Sequence, residues 1–215
     1  DLPGKAYSSP GQFDPDYDPL ALFATLLWAH ESGCEVDKDI CTLAAGHGHL
    51  LILHWAHEAG YAWTAWTCAR AAEGGHLPVL QWARENGCPW SALTCALAAL
   101  GGHIGVLQWA RANGCEWSAL TCANAAARGH FEILVWAREN GCPWDANTCS
   151  NAAASDHLPI LQWARTQDPP CPWDDWACVS ATMSTSGGLA ILQWMRAQDS
   201  PCPWYIDAVG SAERC

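Results

Sequence analysis

Residues 90–115 read WSALTCALAALGGHIGVLQWARANGC, and near-copies of this segment recur along most of the 215-residue chain. Tryptophan marks the period most clearly, because successive copies place it 27 residues apart, as at Trp82 and Trp109. The tryptophans of this row are Trp28, Trp55, Trp82, Trp109, Trp136, Trp163 and, after a longer interval, Trp194. A fixed period of roughly 20–50 residues indicates one supersecondary unit copied along a line. The period therefore predicts a repeat protein with a long surface rather than a globule around one pocket.

Each copy begins with a segment typical of a short helix. A residue able to cap a helix N-terminus precedes the segment, and an alanine pair such as Ala98-Ala99 lies inside it. The predicted capping residues are Asp37, Thr64, Ser91, Ser118, Asp145 and Asp174. Glycines able to adopt a left-handed turn are predicted to end these first helices, and they are Gly48, Gly75, Gly102, Gly129 and Gly187.

A second helix is predicted to follow a histidine in each copy. The histidines are His49, His76, His103, His130 and His157, which we interpret as capping and packing groups. Apolar residues then cover most of the helix circumference, as in residues 77–83, so that the helix must be buried between neighbouring copies. Pairs such as Asn86-Gly87 are predicted to end it.

These patterns predict an all-α solenoid of stacked helix-turn-helix units. About seven hairpins occupy residues 20–215 and end on a half-repeat that begins at Tyr205, while residues 1–19 form an extended tail rich in Pro, Gly and Asp. The chain starts at Asp1 without an initiator Met, which fits either removal of a targeting segment or a sequence that begins further along. No apolar run approaches the roughly 18–20 residues that span a bilayer, so any membrane association is expected to be peripheral.

The segment TCALAA at 94–99, followed by GHIGVL at 102–107, resembles the ankyrin repeat. The likeness extends from about Leu20 to Gly210, with a period of 27 residues rather than about 33. It is most similar to the short, Trp-rich variety found in algae, amoebae and large DNA viruses. The resemblance implies hairpins without full β-hairpin fingers, and protein binding through the concave face that the first helices form.

The cysteines follow the repeat and do not have the spacing of a metal site. They occupy two slots seven residues apart, as at Cys88 and Cys95, whereas zinc ligands usually stand two to four residues apart. Tyr61 and Val209 replace one member of a pair, which an apolar slot tolerates and a ligand or bridge does not. Buried free thiols are favoured over a disulfide ladder or zinc, and they fit a reducing compartment such as the cytoplasm or a chloroplast stroma. No metal or cofactor is expected.

Three slots of the first helix vary between copies, at i, i+4 and i+7, and therefore lie on one face. Residues needed for stacking should repeat, so we interpret this face as the partner-binding surface, with drift or N-terminal packing as the alternative. The candidate binding residues are Trp66, Arg70, Leu93, Leu97, Leu100, Leu120, Asn124, Asn147, Asn151 and Trp176. An apolar patch with a polar rim is typical of binding surfaces.

Two further rows accompany the second helices. Cations in the last turn complement the helix dipole, and they form a secondary ridge that an acidic partner segment could use. The ridge residues are Arg84, Arg111, Arg138 and Arg165. The tryptophan row is interpreted as core packing, with an aromatic ladder for a pigment as the alternative.

The function predicted from these patterns is a non-catalytic scaffold for protein–protein interaction. A net charge of −12, from 22 acidic and 10 basic residues, disfavours nucleic acid as a partner, so other protein subunits are expected. The absent initiator Met and the off-repeat tail favour a linker subunit of a larger assembly, such as an algal photosynthetic or other organellar complex. A free cytosolic adaptor is the alternative, and a thiol- or metal-dependent enzyme is a remote one.

Overall fold

The structure, a computed structural model, describes residues 18–184, 187–198 and 200–203, and every regular element within them is an α-helix. The chain divides into two units, residues 1–37 and residues 38–215. The predicted half-repeat from Tyr205 lies outside the described residues, as does most of the predicted tail.

The first unit contains one described helix, α1 (Pro19–Glu31). Its N-terminus is capped by Asp18, whose carboxylate accepts a hydrogen bond from the Leu20 backbone N–H at 2.9 Å. Pro19 occupies the first turn, where its missing N–H leaves no intrahelical bond unmade. No residue of this helix is buried, and Trp28 is exposed.

The second unit consists of helical hairpins, each with a first and a second helix. The first helices are α2 (Ile40–Gly46), α4 (Ala65–Glu73), α6 (Ala92–Gly101), α8 (Ala119–Ala127), α10 (Ala146–Ala154) and α12 (Asp175–Met183). The second helices are α3 (Leu50–Glu58), α5 (Leu77–Glu85), α7 (Ile104–Ala112), α9 (Phe131–Glu139), α11 (Leu158–Thr166) and α13 (Gly188–Arg196). The all-helical repeat fold predicted from the sequence is confirmed, and in the described part of this unit no β-finger separates the hairpins.

Side-chain caps start most first helices where the sequence predicts them. The Thr64 hydroxyl accepts from the Trp66 N–H at 3.2 Å, and Ser91, Asp145 and Asp174 make equivalent bonds to their own first turns. Ser118 holds the cap position without such a bond.

The predicted cap Asp37 is wrong. Helix α2 begins after Asp39, because the Asp39 carbonyl already accepts hydrogen bonds from the backbone N–H groups of Thr42 and Leu43. Lys38 and Asp39 form a turn ahead of the helix, which is consequently shorter than the other first helices.

Small residues allow consecutive first helices to pack side by side. The alanine pairs, such as Ala71-Ala72 and Ala98-Ala99, are completely buried between them, and the closest helix packing of the unit runs along this row. Five of the six second helices contribute a fully buried leucine, for example Leu80 and Leu107, and α13 contributes Ile191 and Met195 instead. Burial of apolar area of this kind supplies most of the stabilisation of such a repeat unit.

A glycine–histidine contact joins neighbouring hairpins at four of the five described junctions. Gly75 has a φ of +75°, and a Cβ placed there would lie 2.5 Å from Nδ1 of the His103 ring. The His130 ring similarly reaches the preceding hairpin, where its Nε2 lies 3.2 Å from the carbonyl oxygen of Leu100. Four histidines of the row therefore pack on the backbone of the preceding repeat, namely His76, His103, His130 and His157. No member of the row makes a side-chain cap to its own helix.

The last described junction is built differently. Gly187 was expected to end a first helix, but it has a φ of −101° and stands at the N-terminus of α13. Asp156 instead adopts the left-handed conformation, with φ 63°. Its carboxylate accepts hydrogen bonds from the Ser184 hydroxyl and, at 3.0 Å, from the Gly187 N–H. A carboxylate thus takes over the inter-repeat contact that histidine makes elsewhere.

Three glycine-to-alanine substitutions test this junction. Gly75→Ala should destabilise most, because it combines a left-handed backbone with the clash against His103. Gly87→Ala has a similar φ of +84° but open space around it, so it should cost only the backbone term of about 1–2 kcal/mol. Gly105→Ala, in helix α7 with no neighbour within 4 Å, should stabilise by about 0.5–1 kcal/mol. Denaturant unfolding of the three variants measures the order, and equal losses at Gly75 and Gly87 would contradict the close contact.

The histidine contacts also predict a pH dependence. Burial lowers the pKa of His49 and His76 below their ordinary value of 6.5, and neighbouring histidines add to the effect. As pH falls below about 6.5, these histidines take up protons in the unfolded chain more readily than in the folded one. The free energy of unfolding should therefore decrease as pH falls. The unfolding temperature should therefore drop between pH 7.5 and pH 5.5, and the drop should shrink in a His76→Gln variant. An unchanged drop in that variant would assign the effect to other groups.

Candidate functional site

The predicted binding residues lie on consecutive first helices and remain accessible. Trp66 is 54% exposed, Leu120 is 46% exposed and Trp176 is 53% exposed. The three leucines of α6 at positions 93, 97 and 100 are half-buried. None of the ten predicted residues is buried, although the alanines and cysteines beside them on the same helices are. We call the surface formed by Trp66, Leu93, Leu97, Leu100, Leu120 and Trp176 the first-helix face.

Two of the predicted asparagines, which lie beside this face, hold neighbouring helices together. The Asn124 amide donates to the carbonyl oxygen of Ala96 at 2.9 Å, and the Asn151 amide donates to that of Ala123 at 3.2 Å. Each bond joins a first helix to the one before it. Their interpretation as a polar rim is therefore incomplete, because these side chains also hold adjacent helices together.

The charged and remaining polar members bond locally. Arg70 forms an ion pair with Glu73 on the same helix, with 2.5 Å between Nη1 and Oε2. The Asn147 amide donates to the Asp145 carboxylate at 3.0 Å, beside the cap that this aspartate provides. An ion pair this exposed contributes little to stability.

Two exposed apolar residues extend the face beyond the predicted set. Leu43 of α2 and Met183 of α12 are both exposed, and they occupy the same repeat slots as Arg70 and Leu100 respectively. Leu43 stands 27 residues before Arg70, so repeat register alone could have identified it.

The arginine ridge is already engaged within the protein. The guanidinium of Arg84 lies 4.2 Å from the centre of the Trp90 ring and donates to the carbonyl oxygen of Cys88. The same arrangement recurs at Arg111, Arg138 and Arg165, with guanidinium-to-ring distances of 4.0–4.1 Å. Interaction with the helix dipole is therefore only part of the role of these arginines. Each one also contacts a tryptophan ring and a backbone carbonyl in the link that follows its helix.

Tryptophans bridge successive second helices. Trp90, in the link, meets Trp109 of the next second helix edge to face, with ring centres 5.9 Å apart. Trp117 and Trp136 repeat this pair at 5.8 Å. Such pairs stabilise by about 0.5–1.5 kcal/mol beyond the area they bury. The tryptophan period thus reflects packing between hairpins.

The cysteines form hydrogen-bonded pairs across the hairpin junctions. Eleven of the twelve cysteines in the described part are buried free thiols, and Cys34 is exposed. The Cys68 thiol donates to the backbone carbonyl of Cys88, 20 residues away, at 4.0 Å. The Cys88 thiol in turn donates to the Thr64 carbonyl at 3.5 Å. The bond to Cys88 and burial raise the pKa of the Cys68 thiol, so it stays protonated at neutral pH. No cluster of three or more metal-binding side chains occurs among the described residues.

Thiol labelling tests this arrangement. Cys34 should react with iodoacetamide in the native protein, whereas buried Cys95 and Cys122 should react only after unfolding. Peptide mapping by mass spectrometry before and after denaturation measures both. Rapid native labelling of Cys95, or stoichiometric zinc in the purified protein, would contradict the assignment of these cysteines as inert core thiols.

Comparisons with known proteins support the fold. No protein-family model matches the chain, and no curated protein matches it. Among solved structures, the ankyrin repeat domain of human ASB11 is similar over 74% of this chain and 85% of that one, with a TM-score of 0.55 and 16% sequence identity. The pentatricopeptide repeat protein PPR10, solved in complex with an 18-nt psaJ RNA element, is similar over 86% of this chain and 32% of that one, with a TM-score of 0.48 and 13% identity.

Within the described residues, no helix combines the length and the apolar character needed to cross a bilayer.

The likeness to the ASB11 domain concerns the fold, which is one of stacked helix-turn-helix repeats. The fold of this chain is therefore similar to that of an ankyrin repeat domain.

Proposed function

We propose that this protein is a non-catalytic interaction scaffold that binds a protein partner through the first-helix face. The observation that carries the proposal is that exposed apolar side chains occupy the same face of alternate first helices, at Trp66 of α4, Leu120 of α8 and Trp176 of α12. An aromatic side chain buries about 150–250 Å² when it is fully covered, and covering one that is about half exposed removes roughly half of that area from water. Partner binding supplies that cover.

The repeat pattern supports the same surface. Positions that stack hairpins, such as Ala98 and Cys95, are buried and recur from copy to copy, whereas the exposed positions of the same helices change from copy to copy. Histidine and cysteine often act in catalysis, but here most members of both rows pack between hairpins. These features support binding rather than chemistry.

The finer form of the proposal is a linker subunit of a larger assembly, of the short tryptophan-rich ankyrin type, in an organellar complex such as a photosynthetic one. Buried free thiols support a reducing compartment. The net charge of −12 supports protein rather than nucleic acid as the partner. Size-exclusion chromatography of native extract tests the linker role, since a linker should elute with its assembly and a free adaptor should elute largely alone.

A pair of matched substitutions tests the face itself. Trp66→Glu with Leu120→Glu should abolish capture of the partner from native extract while leaving the unfolding temperature nearly unchanged, because both side chains are exposed in a first helical turn, where Glu is favourable. Leu51→Glu is the control, since Leu51 is 47% exposed in the first turn of a second helix. Quantitative mass spectrometry of captured proteins, after nuclease treatment, measures the result. Loss of capture in the Leu51 variant alone would refute the first-helix face.

A further inference from the structure

A cleft opens between the second helices α5 and α7, on residues that the proposed partner surface does not use. Its volume is about 350 Å³. Aromatic, amide and charged side chains line it together, and they are Gln81, Arg84, Glu85, Trp90, Trp109 and Asn113. Glu85 and Asn113 are exposed, so the cleft is accessible from solvent.

The aromatic walls of this cleft are held in place before any ligand binds. The guanidinium of Arg84 covers the Trp90 ring at 4.2 Å, and Trp109 meets the same ring at an interplanar angle of 68°. The Asn113 amide donates to the Trp109 carbonyl at 2.8 Å, which fixes this polar side chain at the cleft. A preorganised wall loses little conformational entropy on binding.

The same walls recur one hairpin after another. Trp144 and Trp163 repeat the edge-to-face pair at 6.0 Å and 74°, with Arg138 over Trp144 at 4.0 Å. Trp173 and Trp194 repeat it again at 6.0 Å and 71°. The second helices therefore carry a row of like aromatic pairs at the spacing of the repeat, which we call the aromatic row.

We propose that the aromatic row binds a proline-rich segment in the polyproline II conformation, with one proline in every third position. Polyproline II rises about 3.1 Å per residue with three residues per turn, so one turn advances about 9 Å. Packed helices lie about 8–10 Å apart, so we expect successive aromatic pairs, one to each hairpin, to follow one another at about that distance. A proline on each turn thus meets the aromatic pair of each hairpin in register.

The chemistry of the cleft matches such a ligand. Proline-rich segments dock on aromatic-lined grooves, and their backbone carbonyls have no internal hydrogen-bond partners. The amides of Gln81 and Asn113 stand at the cleft to meet these carbonyls. Single-stranded RNA, which also stacks on aromatic rings, fits less well, because the protein carries a net charge of −12 and Glu85 lines the cleft.

Nitrogen-15 NMR of the full chain tests the proposal through its tryptophan indole N–H signals, assigned by single Trp→Phe variants. The probe is a twelve-residue peptide with prolines at positions 1, 4, 7 and 10, compared with a peptide of the same composition with four adjacent prolines. The spaced peptide should shift the indoles of Trp90, Trp109 and Trp117 and leave those of Trp66 and Trp176 in place. The clustered peptide should bind roughly two- to tenfold more weakly, because it loses register at one or more pairs.

Substitutions separate this surface from the first-helix face. Gln81→Ala should weaken binding of the spaced peptide roughly two- to tenfold with little change in the unfolding temperature, since it removes one polar contact from a half-buried side chain at the cleft. Trp66→Glu with Leu120→Glu should leave the peptide shifts unchanged, so failure of the proposed function and failure of the aromatic row give different results. The proposal is overturned by equal shifts from both peptides, by no shift at all, or by an oligouridylate that shifts the same indoles in place of the peptide.

Discussion

The contact between the histidine ring of one hairpin and the glycine backbone of the hairpin before it sets the register at four of the five described junctions. A Cβ at Gly48, Gly75, Gly102 or Gly129 would lie 2.5–2.7 Å from the ring of the next hairpin, so only glycine admits this approach. Consecutive first helices are thereby brought side by side, and alanine is the residue that fills the narrow gap. The outward positions of these helices are released from packing, which is why sequence variation and exposed apolar residues concentrate there.

The two rows of helices are held by different chemistry. First helices are joined by small residues, thiols and amide-to-carbonyl bonds such as that from Asn124 to Ala96. Second helices are joined through the links, where a guanidinium on one indole and a second indole at its edge connect neighbouring hairpins. A cation–π contact contributes about 0.5–1 kcal/mol at an exposed site, and four such contacts recur along the row. Repetition makes individually small terms matter, because each hairpin depends on its neighbours for stability.

The fold could be predicted from the sequence because the 27-residue period, the caps and the Gly–His pairs are local signals that recur. What could not be predicted are the contacts between hairpins. Cys68 meets Cys88, and Asp156 bonds to Gly187 in place of a histidine, at separations that no helical period encodes. Either Asp37 or Asp39 could cap α2 by residue type, and the turn at Lys38 and Asp39 places the start of the helix after Asp39. For the candidate site, the variation of first-helix positions between copies predicted which residues are accessible. The tryptophans of the links carry no sequence signal that arginine covers their rings.

Two surfaces on opposite rows of helices suit a scaffold better than one would. A partner on the first-helix face and a proline-rich segment on the aromatic row use no residue in common, so both can be held at once. When two ligands are joined to each other, the second binding step becomes intramolecular and gains from a high effective concentration. Added hairpins lengthen both surfaces together, because each one contributes a first helix and an indole pair. A repeat protein can therefore bind a partner more tightly by adding hairpins, even though each single contact stays weak. Surfaces made of separate aromatic and aliphatic side chains, one set to a hairpin, are suited to this kind of binding.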